Sequence, residues 1–113
     1  MEHRDISFKN STKFAITITG DSHIKDIELP ARGSYDVPNF IEDDIKYGTS
    51  LRLEFVVHVS AGINDGVNFR HIERNVTRVC RAPFKDSIQF TIFQKRTNAP
   101  DEFDFGCQAS ELH

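Results

Sequence analysis

Nine residues in the middle of the chain decide its fold class: Leu51-Arg52-Leu53-Glu54-Phe55-Val56-Val57-His58-Val59. Every odd position in this stretch is apolar, whereas most even positions carry a polar or charged side chain. Successive side chains of a strand point to opposite faces, so the pattern predicts a strand with one fully apolar face. A helix would scatter the same five apolar groups around its circumference.

Two further stretches repeat this alternation. Phe14, Ile16 and Ile18 share one face in residues 13–19, and residues 87–94 do the same with Ile88 and its neighbours at alternate positions. Weaker strand patterns occupy residues 5–9, 24–29, 34–37, 67–72, 77–81 and 103–107. Turn residues separate the segments at short, regular intervals, which is typical of sandwiches and barrels. The sequence therefore predicts an all-β fold, a small antiparallel β-sandwich or open barrel of about eight short strands.

Four local features refine this prediction. Residues 40–46 could form at most one short helical turn, which would bury Ile41 and Ile45 on one side. The segment 61–66 has turn composition, and Asn75 leaves open whether residues 67–80 form one bent strand or two. Residues 29–37 have the pattern of a strand, a tight turn and a returning strand.

Length and composition indicate one domain covering residues 1–113. No window approaches the run of about 20 apolar residues of a membrane helix. The N-terminus shows no apolar signal segment, which slightly favours a cytoplasmic location unless the chain is a mature secreted form. On that basis we interpret Cys80 and Cys107 as reduced buried thiols, although a bridge is sterically allowed if their strands are neighbours. Asn10 and Asn75 begin Asn-x-Thr glycosylation sequons, which matter only in a secreted chain.

Catalytic and cofactor motifs are missing from the sequence. The glycines are isolated turn residues, no serine lies in a Gly-x-Ser-x-Gly elbow, and neither cysteine has the context of a known nucleophile. The histidines are not paired at a metal-binding spacing, although His58 and His71 fall on adjacent predicted strands. We therefore expect a chain that is not an enzyme and that holds no metal and no cofactor.

Acidic side chains cluster at two predicted strand ends. Glu42, Asp43 and Asp44 form one cluster, and Asp101, Glu102 and Asp104 form the other. Loop carboxylates of this kind can bind calcium, because a hard cation takes six to eight oxygen ligands. Solvated loop charge is the simpler interpretation, since no EF-hand spacing is present. A calcium-dependent membrane-binding sandwich stays as a further alternative.

Basic side chains concentrate between residues 67 and 96, although the net charge of the whole chain is −3. That segment carries seven basic and two acidic side chains, whereas both flanking segments are acidic. The candidate binding residues are Arg70, Arg74, Arg78 and Arg81. Arginine suits planar anions such as carboxylate, phosphate or sulfate. Internal pairing with the acidic flanks is the competing interpretation.

These features together predict a non-catalytic binding module. The expected ligand is an anionic surface, such as a lipid head group or an acidic glycan, or else a protein partner. Nucleic acid is disfavoured by the sequence pI of about 5.9. The alternative is a homo-oligomeric assembly protein, because Val56 and Phe93 fall on the outer faces of their strands.

Overall fold

The structure is a computed structural model that describes residues 3–19, 26–41, 50–64, 66–83 and 87–111. These residues contain eight strands. The strands are β1 (His3–Asn10), β2 (Ala15–Thr19), β3 (Ile27–Leu29), β4 (Ser34–Ile41), β5 (Ser50–Asn64), β6 (Phe69–Pro83), β7 (Ile88–Lys95) and β8 (Asp104–Glu111). The described ranges contain no helix long and apolar enough to span a bilayer.

Two four-stranded sheets pack face to face. One has the strand order β4-β1-β7-β8 and the other β3-β2-β5-β6. The predicted all-β sandwich is thus confirmed. Among the described strands, β1 and β7 depart from the antiparallel pattern, since they pair in parallel. Of the helical turn expected near residues 40–46, Phe40 and Ile41 belong to β4, and the rest lies outside the described residues.

The alternating apolar residues form one core between the sheets. On β5 these are Leu53, Phe55, Val57 and Val59, and all four are buried. The inward faces predicted for residues 13–19 and 87–94 are buried as well: Phe14, Ile16, Ile18, Ile88, Phe90 and Ile92. In the weaker strand patterns, Tyr35, Val67, Phe69 and Val79 are exposed instead. Phe8 of β1 stacks on Phe90 of β7 with ring centroids 5.6 Å apart. Large rings thus fill a small core, as the phenylalanine-rich composition requires.

The turn at residues 30–33 joins the two sheets. The amide of Gly33 donates to the Pro30 carbonyl at 2.9 Å, and Arg32 has a positive φ of 61°. This is the tight turn expected from the sequence. The strand after the turn does not return alongside β3, because β3 pairs with β2 whereas β4 pairs with β1. The chain crosses from one sheet to the other instead of forming a hairpin.

The longest feature of the fold is the β5–β6 hairpin. Its register is continuous from Ser50 opposite Pro83 to Asn64 opposite Phe69. The turn composition of residues 61–66 therefore misled the prediction, since pairing with β6 carries β5 through Asn64. Asn75 does not break β6, because it lies directly opposite His58 in that ladder.

The distal half of this hairpin is a two-stranded ribbon. β2 pairs with β5 only along residues 54–58, and β6 is the edge strand of its sheet. Of the described strands, only β6 therefore pairs with residues 59–64 of β5. A 15-residue strand is about 50 Å long, and the molecule measures 61 Å along its longest axis. The ribbon thus extends beyond the four-stranded part of its sheet.

A disulfide joins the two sheets at one edge of the sandwich. Cys80 of β6 is bonded to Cys107 of β8, with the Cα atoms 5.8 Å apart. The expectation of two reduced thiols is therefore wrong. Sequence reasoning could not place these residues together, because their contact depends on which strands lie at the aligned edges of the two sheets.

A buried asparagine, Asn10, links the end of β1 to the start of β2 and the end of β3. The Nδ2 of Asn10 donates to the carbonyls of Phe14 at 2.7 Å and Pro30 at 3.0 Å. Its Oδ1 accepts from the amide of Thr12 at 2.9 Å and from its hydroxyl at 2.7 Å. Asn10 is only 1% exposed. A buried amide with every group paired fixes β1, β2 and β3 relative to one another.

Removing the disulfide tests its contribution to stability. The bridge spans a sequence separation of 27 residues, and loop-closure entropy gives about 3.5 kcal/mol for a loop of that size. We expect the double variant Cys80→Ala, Cys107→Ala to lose about that much free energy of unfolding in a urea titration.

The matched control is the wild-type chain treated with a thiol reductant, which should lose a similar amount. Equal stability of oxidised, reduced and double-variant chains would contradict this role of the bridge.

Candidate functional site

The strand β6 presents different side chains on its two faces. Residues directly opposite in an antiparallel pair share a face. Arg78 lies opposite the buried Phe55, and Arg74 lies opposite the buried Val59. The inner face of β6, towards the other sheet, therefore carries Arg70, Ile72, Arg74, Val76, Arg78 and Cys80. Of the four predicted binding arginines, only Arg81 lies on the outer face.

The three inner arginines contact the acidic segment that leads into β8. Arg70 forms an ion pair with Asp101 at 3.1 Å, and Arg78 forms one with Asp104 at 2.8 Å. Arg74 donates to the backbone carbonyl of Asp101 at 3.3 Å. The basic block and the acidic flank thus complement each other within the chain. All these groups are substantially exposed, so each pair contributes little to stability by itself.

Asp104 is the best-connected carboxylate of this row. Its Oδ1 accepts from the Nη2 and Nε of Arg78, at 2.8 and 3.0 Å, and from the amide of Phe105 at 2.9 Å. The hydrogen bond from Arg78 is the largest cause that lowers the pKa of Asp104, followed by the bond from Phe105. Both favour the charged carboxylate.

Arg81 has a basic neighbour instead of an acidic one. It lies directly opposite Arg52 on the outer face of the hairpin, and both side chains are exposed. Neither has an ion pair with any residue that the structure describes. Like charges directly opposite in a sheet are destabilising, so this pair would be favoured by an anion bound between the two guanidinium groups.

A histidine on the same outer face links three strands. The ring of His58 contacts Thr17 Oγ1 through Nε2 at 2.8 Å and Asn75 Oδ1 through Nδ1 at 2.9 Å. A carbonyl oxygen only accepts, so Nδ1–H must donate to Asn75. In the neutral ring Nε2 then accepts from the Thr17 hydroxyl. Both ring nitrogens are thus used in cross-strand hydrogen bonds.

His71 forms a second polar cluster nearer the hairpin tip. Its Nε2 lies 3.1 Å from Ser60 Oγ and 3.3 Å from Glu73 Oε1. His71 lies opposite Gly62, whereas His58 lies opposite Asn75, so the two histidines are four positions apart along the ladder. Within the described ranges, no three His, Cys, Asp or Glu side chains form a group that could hold a metal ion.

The candidate calcium ligands form two clusters, and the structure describes only one of them. Asp101 and Asp104 are held by arginines, and Glu102 is exposed beside them. The cluster Glu42, Asp43 and Asp44 lies outside the described residues.

The cavities offer little enclosed volume. The space between the sheets beside the disulfide holds about 10 Å³ and is lined by core side chains such as Phe55 and Phe90, which is room for about one water molecule. A wider surface depression of about 410 Å³ is lined by Arg74, Arg96, Thr97, Asn98, Glu102, Phe103 and Asp104. Its two arginines are balanced by two carboxylates.

The tip of the hairpin exposes apolar side chains. Val67 is 87% exposed and Phe69 is 74% exposed. The turn is shaped by Gly66, which has a φ of +92° and donates its amide to the Oδ1 of Asn64 at 2.9 Å. The Phe69 ring lies across Gly62: a Cβ added there would be 2.6 Å from its Cζ. One side of the ring therefore packs on the ribbon while the rest faces solvent.

The outer residues proposed for self-assembly are less available than the tip. The Phe93 ring covers Gly106, the residue directly opposite on β8, where an added Cβ would lie 2.8 Å from its Cζ. Phe93 and Val56 are both half-buried. Phenylalanine thus covers a cross-strand glycine at two places in this protein.

Sequence reasoning overlooked Phe69, Arg52 and the hydrogen bonds of His58. Phe69 falls in residues 67–72, whose pattern predicts only a weak strand, because nothing in it marks the end of a long ribbon. The arrangement around Arg52 and His58 depends on the register of β5 against β6, which a single strand pattern does not specify.

Comparison with known proteins adds no relative: family models, curated proteins and solved structures were all searched, and none matches the chain.

The contact between Arg78 and Asp104 predicts a change in titration. In Arg78→Ala the pKa of Asp104 should rise towards its ordinary value, as measured by an NMR pH titration of the side-chain carboxyl carbon. Because the folded-state pKa is lowered, the stability from this contact is present above the ordinary aspartate pKa and is lost as pH falls through the lowered value.

Arg74→Ala is the matched control, since Arg74 contacts only the backbone carbonyl of Asp101. An Asp104 titration that is the same in Arg78→Ala and in the wild type would contradict this assignment.

Proposed function

We propose that this chain is a non-catalytic binding module that recognises a protein partner through the tip of its β5–β6 hairpin. The observation that carries the proposal is the 74% exposure of Phe69 at the end of a two-stranded ribbon. Exposed aromatic side chains of this kind are enriched at the centres of protein interfaces.

The position of the Phe69 ring supports this proposal. Contact with Gly62 restricts one side of the ring, which reduces the side-chain entropy that binding would cost. On the inner face of the ribbon, Arg70 forms an exposed and therefore weak ion pair with Asp101. An exposed apolar ring suits a partner that offers an apolar pocket.

The hydrogen bonds of the outer face link its strands. Both nitrogens of His58 are occupied by Thr17 and Asn75, and the cluster lies on an exposed sheet face. The part of the proposal that excludes catalysis is supported by the sequence, which carries no catalytic motif.

The test compares two aromatic substitutions. Phe69→Ser should reduce retention of a specific partner at least tenfold in affinity capture with quantitative mass spectrometry, because anchor residues contribute about 2 kcal/mol or more. Tyr35→Ser is the matched control, since Tyr35 is a 49% exposed ring on the other sheet and its loss should leave retention unchanged. The interaction is then measured with the purified partner by calorimetry.

Two results would overturn the proposal. One is that every retained protein binds wild type and Phe69→Ser equally. The other is a concentration-dependent dimer in light scattering that Phe69→Ser dissociates, which would favour the homo-oligomeric alternative. The thermal unfolding midpoint of Phe69→Ser should stay near that of the wild type, which separates lost binding from lost folding.

A second candidate function rests on Arg52 and Arg81. Their direct opposition on an exposed face supports binding of a phosphate or sulfate ester, as on an anionic lipid or an acidic glycan. The inner arginines Arg70, Arg74 and Arg78 support this function less, because acidic residues or a backbone carbonyl of this chain already contact them.

Arg52→Glu tests this second function. It places opposite charges across the two strands, so we expect salt-sensitive binding to phosphatidylserine vesicles or heparin to be lost while stability rises by a few tenths of a kcal/mol. Lys9→Glu, an exposed position on β1, makes the same change in net charge. Equal binding by wild type and Arg52→Glu would contradict a binding site at Arg52 and Arg81.

A further inference from the structure

The two Asn-x-Thr sequons of this chain have opposite structural environments. In the first, Asn10 and Thr12 are 1% and 2% exposed. Their side chains bond to each other and to backbone groups of the strand ends. In the second, Asn75 and Thr77 are both exposed on the outer face of β6, with Val76 buried between them.

The reactive atom differs as well. The Nδ2 of Asn10 donates two hydrogen bonds, to the carbonyls of Phe14 and Pro30. A sugar on that nitrogen would replace one donor hydrogen and would need space inside the fold. Asn75 uses its Oδ1 to accept from His58, while its Nδ2 makes no hydrogen bond to any residue the structure describes. That nitrogen can carry a substituent without loss of the His58 contact.

The strand around Asn75 leaves room for a large substituent. β6 is the edge strand of its sheet, and no other strand within the described ranges pairs with it on the side away from β5. Asn75 also lies six residues from Phe69, about 20 Å along the strand. A glycan there would cover the outer face of the ribbon and leave the tip open.

The disulfide supplies independent support. Cys80 and Cys107 are bonded, and disulfides persist in the oxidising compartments of secreted proteins. Asn-linked glycosylation takes place in the same secretory environment in eukaryotic cells. The bridge and the exposed sequon therefore point to the same cellular setting.

We propose that Asn75 is an N-glycosylation site and that Asn10 is not one in the folded protein. The donor is a lipid pyrophosphate-linked oligosaccharide. The Nδ2 of Asn75 attacks C1 of the first sugar, the bond from C1 to the pyrophosphate oxygen breaks, and the lipid pyrophosphate leaves as Nδ2 loses one proton. This inference goes beyond the proposed function, and Phe69→Ser should leave the modification unchanged.

The experiment secretes the full chain from eukaryotic cells behind a cleavable leader. The folded monomer is then treated with a peptide N-glycosidase in ¹⁸O-labelled water, which converts a glycosylated asparagine into a labelled aspartate. We expect the label at residue 75 in most molecules and none at residue 10. Thr77→Ala should abolish the label, whereas Thr77→Ser should retain it. Both variants keep the contact between Asn75 and His58.

Two outcomes would overturn the proposal. One is an unlabelled residue 75 in the folded wild-type monomer. The other is a labelled residue 10 in that same monomer, which would show that the buried asparagine tolerates a sugar. The exposed position of Thr77 keeps folding intact in the Thr77 variants, and a circular dichroism melt of each variant checks this directly.

Discussion

The apolar inner face of the β5–β6 ribbon is the constraint on which the surrounding structure depends. Among the residues that the structure describes, none forms a third strand beside the ribbon beyond His58, yet Val59 and Ile63 on its inner face are buried. Two backbone strands alone do not exclude water from such a face. The inner arginines of β6 lie directly opposite this apolar row, Arg74 across from Val59 and Arg70 across from Ile63. Their charged ends reach Asp101, and alkyl stems of arginine can cover apolar surface in such a position.

Three contacts between β6 and the segment entering β8 hold this arrangement in place. The disulfide fixes the edge of the sandwich, the ion pair of Arg78 with Asp104 lies next to it, and the ion pair of Arg70 with Asp101 lies further out. Exposed ion pairs are individually weak, so the covalent bridge is the strongest of the three contacts. It lies at the end of β6 away from Phe69, and the contact nearest the tip is the ion pair of Arg70 with Asp101.

The two faces of the ribbon have separate roles in this view. The inner face is used for folding, the tip offers an apolar anchor, and the outer face carries polar side chains and an accessible sequon. The hydrogen bonds of His58 belong to the folding of the outer face, since they join β2, β5 and β6. An exposed edge strand is normally prone to pair with other chains. Along β6, charged side chains and a bulky group at Asn75 would oppose such pairing.

By itself the sequence determined the all-β class and the buried faces of residues 13–19, 51–59 and 87–94, because period-two alternation depends only on local backbone geometry. The sequence also indicated that the basic segment 67–96 could pair with the acidic flanks, but it allowed binding of an external anion as well. The tertiary structure alone decided the length of the hairpin, the crossing at Pro30, the parallel pair of β1 with β7, and the bond between Cys80 and Cys107. It also decided which sequon is buried and which arginines are paired. These outcomes depend on strand order and register, which join residues far apart in the chain and leave no local pattern.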